Sequence, residues 1–258
     1  MTHSTVPGAT ALIAIDPNRT PYDVNFTLFG VPVRIHPFFW LAQVFLSLDP
    51  KPIAVLVWTI AVFISLIVHE FGHVAAFRYF RSSSHVVLYA FGGLTVPNSA
   101  ARRSTHEQVI ISLAGPVAGF ILFGLIAGVA WSTGHLLFWM GQESGLPIFA
   151  TTFFPAFEIS TLDRLLDDLL YCNFYWSVFN LLPILPLDGG QISRALLGAW
   201  RRDGQQLSFL VSAIAGGALA LAAWIRWDQK MMAIMLVWLA WDSFAAYQRL
   251  SRPFEEYP

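Results

Sequence analysis

The chain has 258 residues, of which 56% are hydrophobic and 12% charged, and a mean hydropathy of +0.58. Soluble domains carry about a quarter charged residues, so this composition places the chain in a lipid bilayer. A net charge of −1 and a pI near 6.6 offer nucleic acid no basic face, and the single cysteine, Cys172, rules out an intramolecular disulfide or a thiolate zinc cluster.

Residues 1–27 read as a polar N-terminal tail. They lack a basic n-region, and their apolar run, 11–15, is too short for a signal peptide. A spanning helix needs about 20 mostly apolar residues, and six stretches are candidates. The first, 38–48, is short and is expected to borrow from 28–35 or to lie in the interface. The second, 53–80, holds His69, Glu70 and His73. Between it and the third, 109–131, residues 82–97 are rich in β-branched side chains around Gly92-Gly93, which predicts a short hairpin or extended segment. Residues 133–160 are apolar but broken by Gly134, Gly141, Gly145, Pro147 and Pro155, and read as an interfacial loop. The fourth span is 169–182, extending toward 187; the fifth is 207–224 and the sixth 231–247. Residues 253–258 form a C-terminal tail. The expected fold is all-α, a polytopic bundle of about six transmembrane helices in one membrane domain, 28–252.

Orientation follows from Lys and Arg placement. With the N-terminus in the cytoplasm, six spans leave Arg19, Arg34, Arg78, Arg81, Arg102, Arg103, Arg194, Arg201, Arg202, Arg249 and Arg252 inside. Lys51, Arg164, Arg226 and Lys230 lie outside, a split of 11 to 4. This puts His69 and His73 near the cytoplasmic end of the second helix, in what is expected to be the cell (inner) membrane.

The chemistry concentrates in His69-Glu70-Phe71-Gly72-His73. Positions i and i+4 share a helix face, so the two imidazoles can hold one metal ion, while Glu70 is placed to reach a water rather than the metal. A charged residue deep in a membrane helix costs at least ~2.5 kcal/mol on insertion scales, which argues against a chance match. A catalytic zinc takes a third protein ligand and keeps an open position. Asp188 is the candidate, in Asn180-Leu181-Leu182-Pro183-Ile184-Leu185-Pro186-Leu187-Asp188-Gly189-Gly190, where prolines break the helix and glycines let the backbone turn. On spacing alone Asp188 is a ligand or the solvated tip of an interfacial turn. Asn180 is a candidate to polarise a substrate carbonyl or donate to a metal ligand, and equally a helix-packing residue. Gly115 and Gly119 read as close helix packing. Cys172 reads as a small apolar residue, and His85 and His106 as surface residues. His36, before Pro37, carries no site argument.

Together, His-Glu-Phe-Gly-His in one helix and Asn-x-x-Pro-x-x-x-Leu-Asp-Gly in a later one resemble the site-2 protease family of intramembrane zinc metallopeptidases. The resemblance runs from about His36 to Arg202 and takes in Phe91-Gly92-Gly93 and Ala114-Gly115-Pro116. It implies that His69, His73 and Asp188 bind one zinc ion and that Glu70 activates water to cleave a transmembrane segment of a partner protein. The family often carries Asn three residues after Ala-Gly-Pro, where this chain has Gly119. With no inserted peptide-binding domain and no regulatory domain, the chain resembles a minimal member. The alternatives are a metal transporter using the same three ligands, an inactive relative that binds membrane helices, or another class of membrane zinc protease with a glutamate as third ligand. Nothing in the sequence assigns an oligomeric state.

Overall fold

The computed structural model describes residues 17–47, 51–90, 92–99, 103–132 and 160–251. The chain opens on two strands, β1 (Val24–Leu28) and β2 (Val31–Ile35), followed by helices α1 (Pro37–Ser47) and α2 (Pro52–Tyr79). Strands β3 (Ser84–Tyr89) and β4 (Gly92–Pro97) come next, then α3 (Thr105–Ser132) and α4 (Ser160–Asn180). Helices α5 (Asp188–Trp200), α6 (Gly204–Ile225) and α7 (Lys230–Ser251) complete the described residues. Packing divides the described residues into two units, one over 17–181 and one over 182–251.

In the first unit the four strands form one sheet in the order β1-β2-β3-β4. The β1–β2 and β3–β4 pairs are antiparallel and β2–β3 is parallel. Strand side chains alternate between faces, so Val31, Val33 and Ile35 of β2 share a face with Val86 and Leu88 of β3. That face packs on Phe39 of α1 and on Leu66 and Val74 of α2, forming the core that lays the sheet against the histidine-bearing helix. The β1–β2 turn places Phe29 (φ 47°) and Gly30 (φ 75°) both in the left-handed region, as a tight primed hairpin turn requires. Gly30 adopts it without strain. Phe29 does not, and it is held by Arg78 of α2 donating to its carbonyl at 2.8 Å and by an edge-on contact with Phe71.

Two sequence expectations are corrected here. Residues 28–35 do not lengthen the first helix; they are the end of β1 and all of β2. The polar-tail assignment likewise stops short, because 24–27 belong to the sheet and Asp23 pairs with Arg34 at 2.8 Å. The bundle is therefore not all-α. Helix α1 keeps 11 residues, about 16 Å at 1.5 Å per residue, too short to cross a 30 Å hydrocarbon core. His36 caps it, its Nδ1 accepting the Phe38 amide at 3.2 Å.

Among the described residues three helices, Pro52–Tyr79, Thr105–Ser132 and Gly204–Ile225, are long and apolar enough to cross a membrane. Only 22% of the apolar window of α3 is buried, and Ile121, Leu125 and Val129 stand exposed on it. Soluble proteins rarely leave such a surface to water; lipid covers it, and the chain is an integral membrane protein. Helix α4 starts at Ser160, well before the expected 169, and its first turns carry Asp163, Arg164, Asp167 and Asp168. It ends at Asn180 instead of running on to 187. A separate helix, α5, which the prolines and glycines concealed, begins at Asp188. The rest of the interfacial-loop assignment (133–159), residues 1–16 of the N-terminal tail, Phe91 and the C-terminal tail at 253–258 fall outside the described residues.

Candidate metal centre

Helix α2 puts His69, Glu70 and His73 on its buried side, at 3%, 3% and 7% exposure. The donor atoms of all three lie within 4.8 Å of one another. The two histidine Nε2 atoms are 3.2 Å apart, and the rings meet edge to face. Tetrahedral zinc with N ligands at 2.0–2.1 Å sets neighbouring nitrogens about 3.3–3.4 Å apart, so this donor pair fits such an ion. His73 Nδ1 lies 2.7 Å from the Ile111 carbonyl of α3. A carbonyl only accepts, so Nδ1 carries the proton and Nε2 keeps its lone pair toward His69. The second turn of α3 thereby fixes the tautomer that metal binding needs.

Glu70 points to the sheet. Thr95 Oγ1, on β4, donates to Glu70 Oε2 at 2.6 Å and is 3.2 Å from the Glu70 backbone carbonyl. A buried carboxylate without such a donor would be costly, and this bond also fixes its direction. Two glycines make the approach possible. A Cβ on Gly93 would run into the Glu70 carboxylate group, with Cδ only 2.7 Å away. A Cβ on Gly115 would strike the His73 ring and come within 2.8 Å of His69 Nε2. Helix α3 and strand β4 thus close on the three residues from two sides, with backbone where side chains would otherwise stand. Behind the centre, Asn173 of α4 donates to Ser65 Oγ of α2 at 2.8 Å, one turn before His69. The Trp176 ring meets His69 edge-on, with centroids 6.4 Å apart.

A model of peptidase family M50 matches residues 57–223, which hold all of these residues. The chain belongs to peptidase family M50. A family relative from Methanocaldococcus jannaschii, described as a zinc metalloprotease, is 28% identical over 200 residues, 76% of this chain and 51% of its own length. The chain spans about half the length of the curated relatives it matches. A solved site-2 protease from the same organism aligns with 92% of this chain and 99% of its own at a TM-score of 0.53 and 24% identity, which establishes a shared fold.

Asn180 is the last residue of α4, and its side-chain nitrogen donates to the Trp176 carbonyl one turn back, at 2.9 Å. Asp188 belongs to the second unit, as the first residue of α5, half-buried and flanked by the buried Gly189 and Gly190. An acidic group in a first turn also complements the helix dipole. His106 is exposed, His85 bonds Asn98 at 2.9 Å, and Cys172 is buried. Gly119 packs against Ser177 of α4. Thr95 and Ile111 were not singled out in the sequence. Neither carries a pattern of its own, because each acts across elements that meet only in the folded chain.

Proposed function

We propose that this chain is an intramembrane zinc metalloprotease that cleaves transmembrane segments of other proteins. The observation that carries the reading is the joint arrangement on α2: two converging Nε2 atoms at 3.2 Å and, beside them, a carboxylate directed by Thr95. His69, His73 and Asp188 would hold the ion. Bound zinc supplies Lewis acidity toward a scissile carbonyl and acidifies water. Glu70 is the general base. Its carboxylate takes the proton of the attacking water and returns it to the leaving amine. The 2.6 Å bond from Thr95 keeps the base oriented through both transfers. Asn180 closes α4 near the break and serves the substrate carbonyl or a ligand.

The substrate helix must unwind locally, since its peptide bonds are shielded by their own hydrogen bonds. Strand β4 ends the sheet on its side, so an extended substrate can pair with it while lying next to Glu70. The C-terminus and the active site face the cytoplasm, as the Lys and Arg distribution supports.

The test compares cleavage of single-pass membrane proteins by wild type and Glu70→Gln, with zinc measured in both. Glu70→Gln is expected to keep its zinc and lose roughly 10²–10⁴-fold in rate, the range a positioned acid–base group contributes. Normal cleavage by that variant overturns the mechanism. Asp188→Ala is expected to lose zinc, and Asp242→Ala to retain it. Full zinc content in Asp188→Ala would place the third ligand elsewhere.

A further inference from the structure

The loop that leads into Asp188 is tied to the two helices that follow it. The Leu185 amide donates to Ser212 Oγ of α6 at 2.6 Å, and Ser212 Oγ lies 2.9 Å from Ser243 Oγ of α7. Both serines are 0% exposed, and Leu185 is 2% exposed. The loop is also folded back on itself, with the Leu187 amide on the Ile184 carbonyl at 2.9 Å. The first turn of α5 presses against this fold. A Cβ on Gly190 would come within 2.5 Å of the Ile184 carbonyl carbon and the Leu185 nitrogen. Asp188 therefore sits between two fixed points, a backbone amide pinned three residues before it and a glycine packed two residues after it. Nothing in a helix–helix interface requires two serines at these places. Apolar residues of similar size pack there without the cost of burying hydroxyls. What the hydroxyls do is satisfy the buried Leu185 N–H, which the irregular loop leaves without a helical partner.

We propose that Ser212 and Ser243 are positioning residues for Asp188. Their shared hydrogen bond holds the Leu185 amide, and through it sets where the Asp188 carboxylate stands when it ligates the metal. The inference rests on the reading of Asp188 as the third zinc ligand. Groups that orient metal ligands contribute about 10- to 100-fold to metal affinity.

The test titrates the full-length metal-free protein in detergent with cobalt(II), and with zinc against a competing chelator. Ser212→Ala is expected to weaken zinc binding roughly tenfold or more and to change the position and intensity of the cobalt ligand-field bands. Ser243→Ala should do the same to a smaller extent, and it carries the test if Ser212→Ala does not fold. Ser208→Ala, which removes another buried hydroxyl of α6, one that donates to the Gln205 carbonyl of its own helix, is expected to leave affinity and spectrum unchanged. A purely structural role for the serines would lower thermal stability and leave the cobalt spectrum as in wild type, and that result overturns the proposal. Loss of zinc in Asp188→Ala with wild-type affinity in both serine variants also overturns it, while leaving the ligand reading intact. Retention of zinc by Asp188→Ala removes the ligand reading itself, and the proposal with it.

Discussion

Threonine 95 carries more of the candidate chemistry than its plain β-branched context advertises. It donates to a buried carboxylate, and hydrogen bonds to charged groups are worth about 1.5–3 kcal/mol. Thr95→Val keeps the shape and removes the donor, so it is expected to lower kcat by roughly 10- to 100-fold with zinc content unchanged. Cleavage assays with parallel metal analysis check this; unchanged kcat would show that Glu70 is directed by other groups. Gly115→Ala is expected to act differently, losing the metal, because the added methyl meets both imidazoles. The histidines and Glu70 were legible in the sequence because i, i+4 spacing on one helix fixes their relation before any tertiary structure exists. Thr95, Gly93 and Ile111 lie on other elements, and their part is set by packing alone.

Among the elements, the β1–β2 hairpin departs furthest from expectation. The run Val31-Pro32-Val33-Arg34-Ile35 alternates with period two, but it is short and adjoins the apolar run of α1, so it read as a candidate extension of that helix, the other reading being a short helix in the interface. What fixes it as a strand is the pairing on both sides and the buried clasp on the face turned away from the Val31, Val33 and Ile35 core. Arg34 reaches Asp23 and the Pro17 carbonyl at 2.8 and 2.9 Å. A hydrogen bond from Thr20, with the one from Arg34, holds the Asp23 carboxyl down from its ordinary 3.8 to about 2. A lowered carboxylate pKa stabilises above its unfolded value and is lost as pH falls through the folded one. Hydrogen-exchange protection of the hairpin amides is therefore expected to be full above about pH 5 and to fall progressively from about pH 4 toward pH 2. Asp23→Asn should remove the pH dependence; a fall already complete by pH 4 would show that the clasp does not operate. Helix α5 was hidden for the opposite reason. Pro183, Pro186 and Gly189-Gly190 all signal interruption, yet a proline before a helix start is compatible with the helix, and the glycines permit its first turn to lie against Ile184.

For the whole molecule, composition alone placed the chain in a bilayer, and α2, α3 and α6 have the length and apolar character to cross it. The charge split of Lys and Arg leads to a further expectation: reporters fused at the C-terminus should be accessible from the cytoplasm, and access only from outside the cell would reverse the orientation. Topology within the membrane was less legible, because α4 mixes charged early turns with an apolar end and α1 is half the needed length. The glycines that admit Glu70 and the histidines give the chain a distinct genetic profile. One side of α3, with Val117, Ile121, Leu125 and Val129, is exposed to lipid, where one apolar side chain replaces another with little effect. A scan of every single substitution should therefore find long tolerant stretches interrupted at Gly93 and Gly115, where even alanine is refused. Those two points mark the edge of the candidate site as sharply as His69, Glu70 and His73 mark its centre.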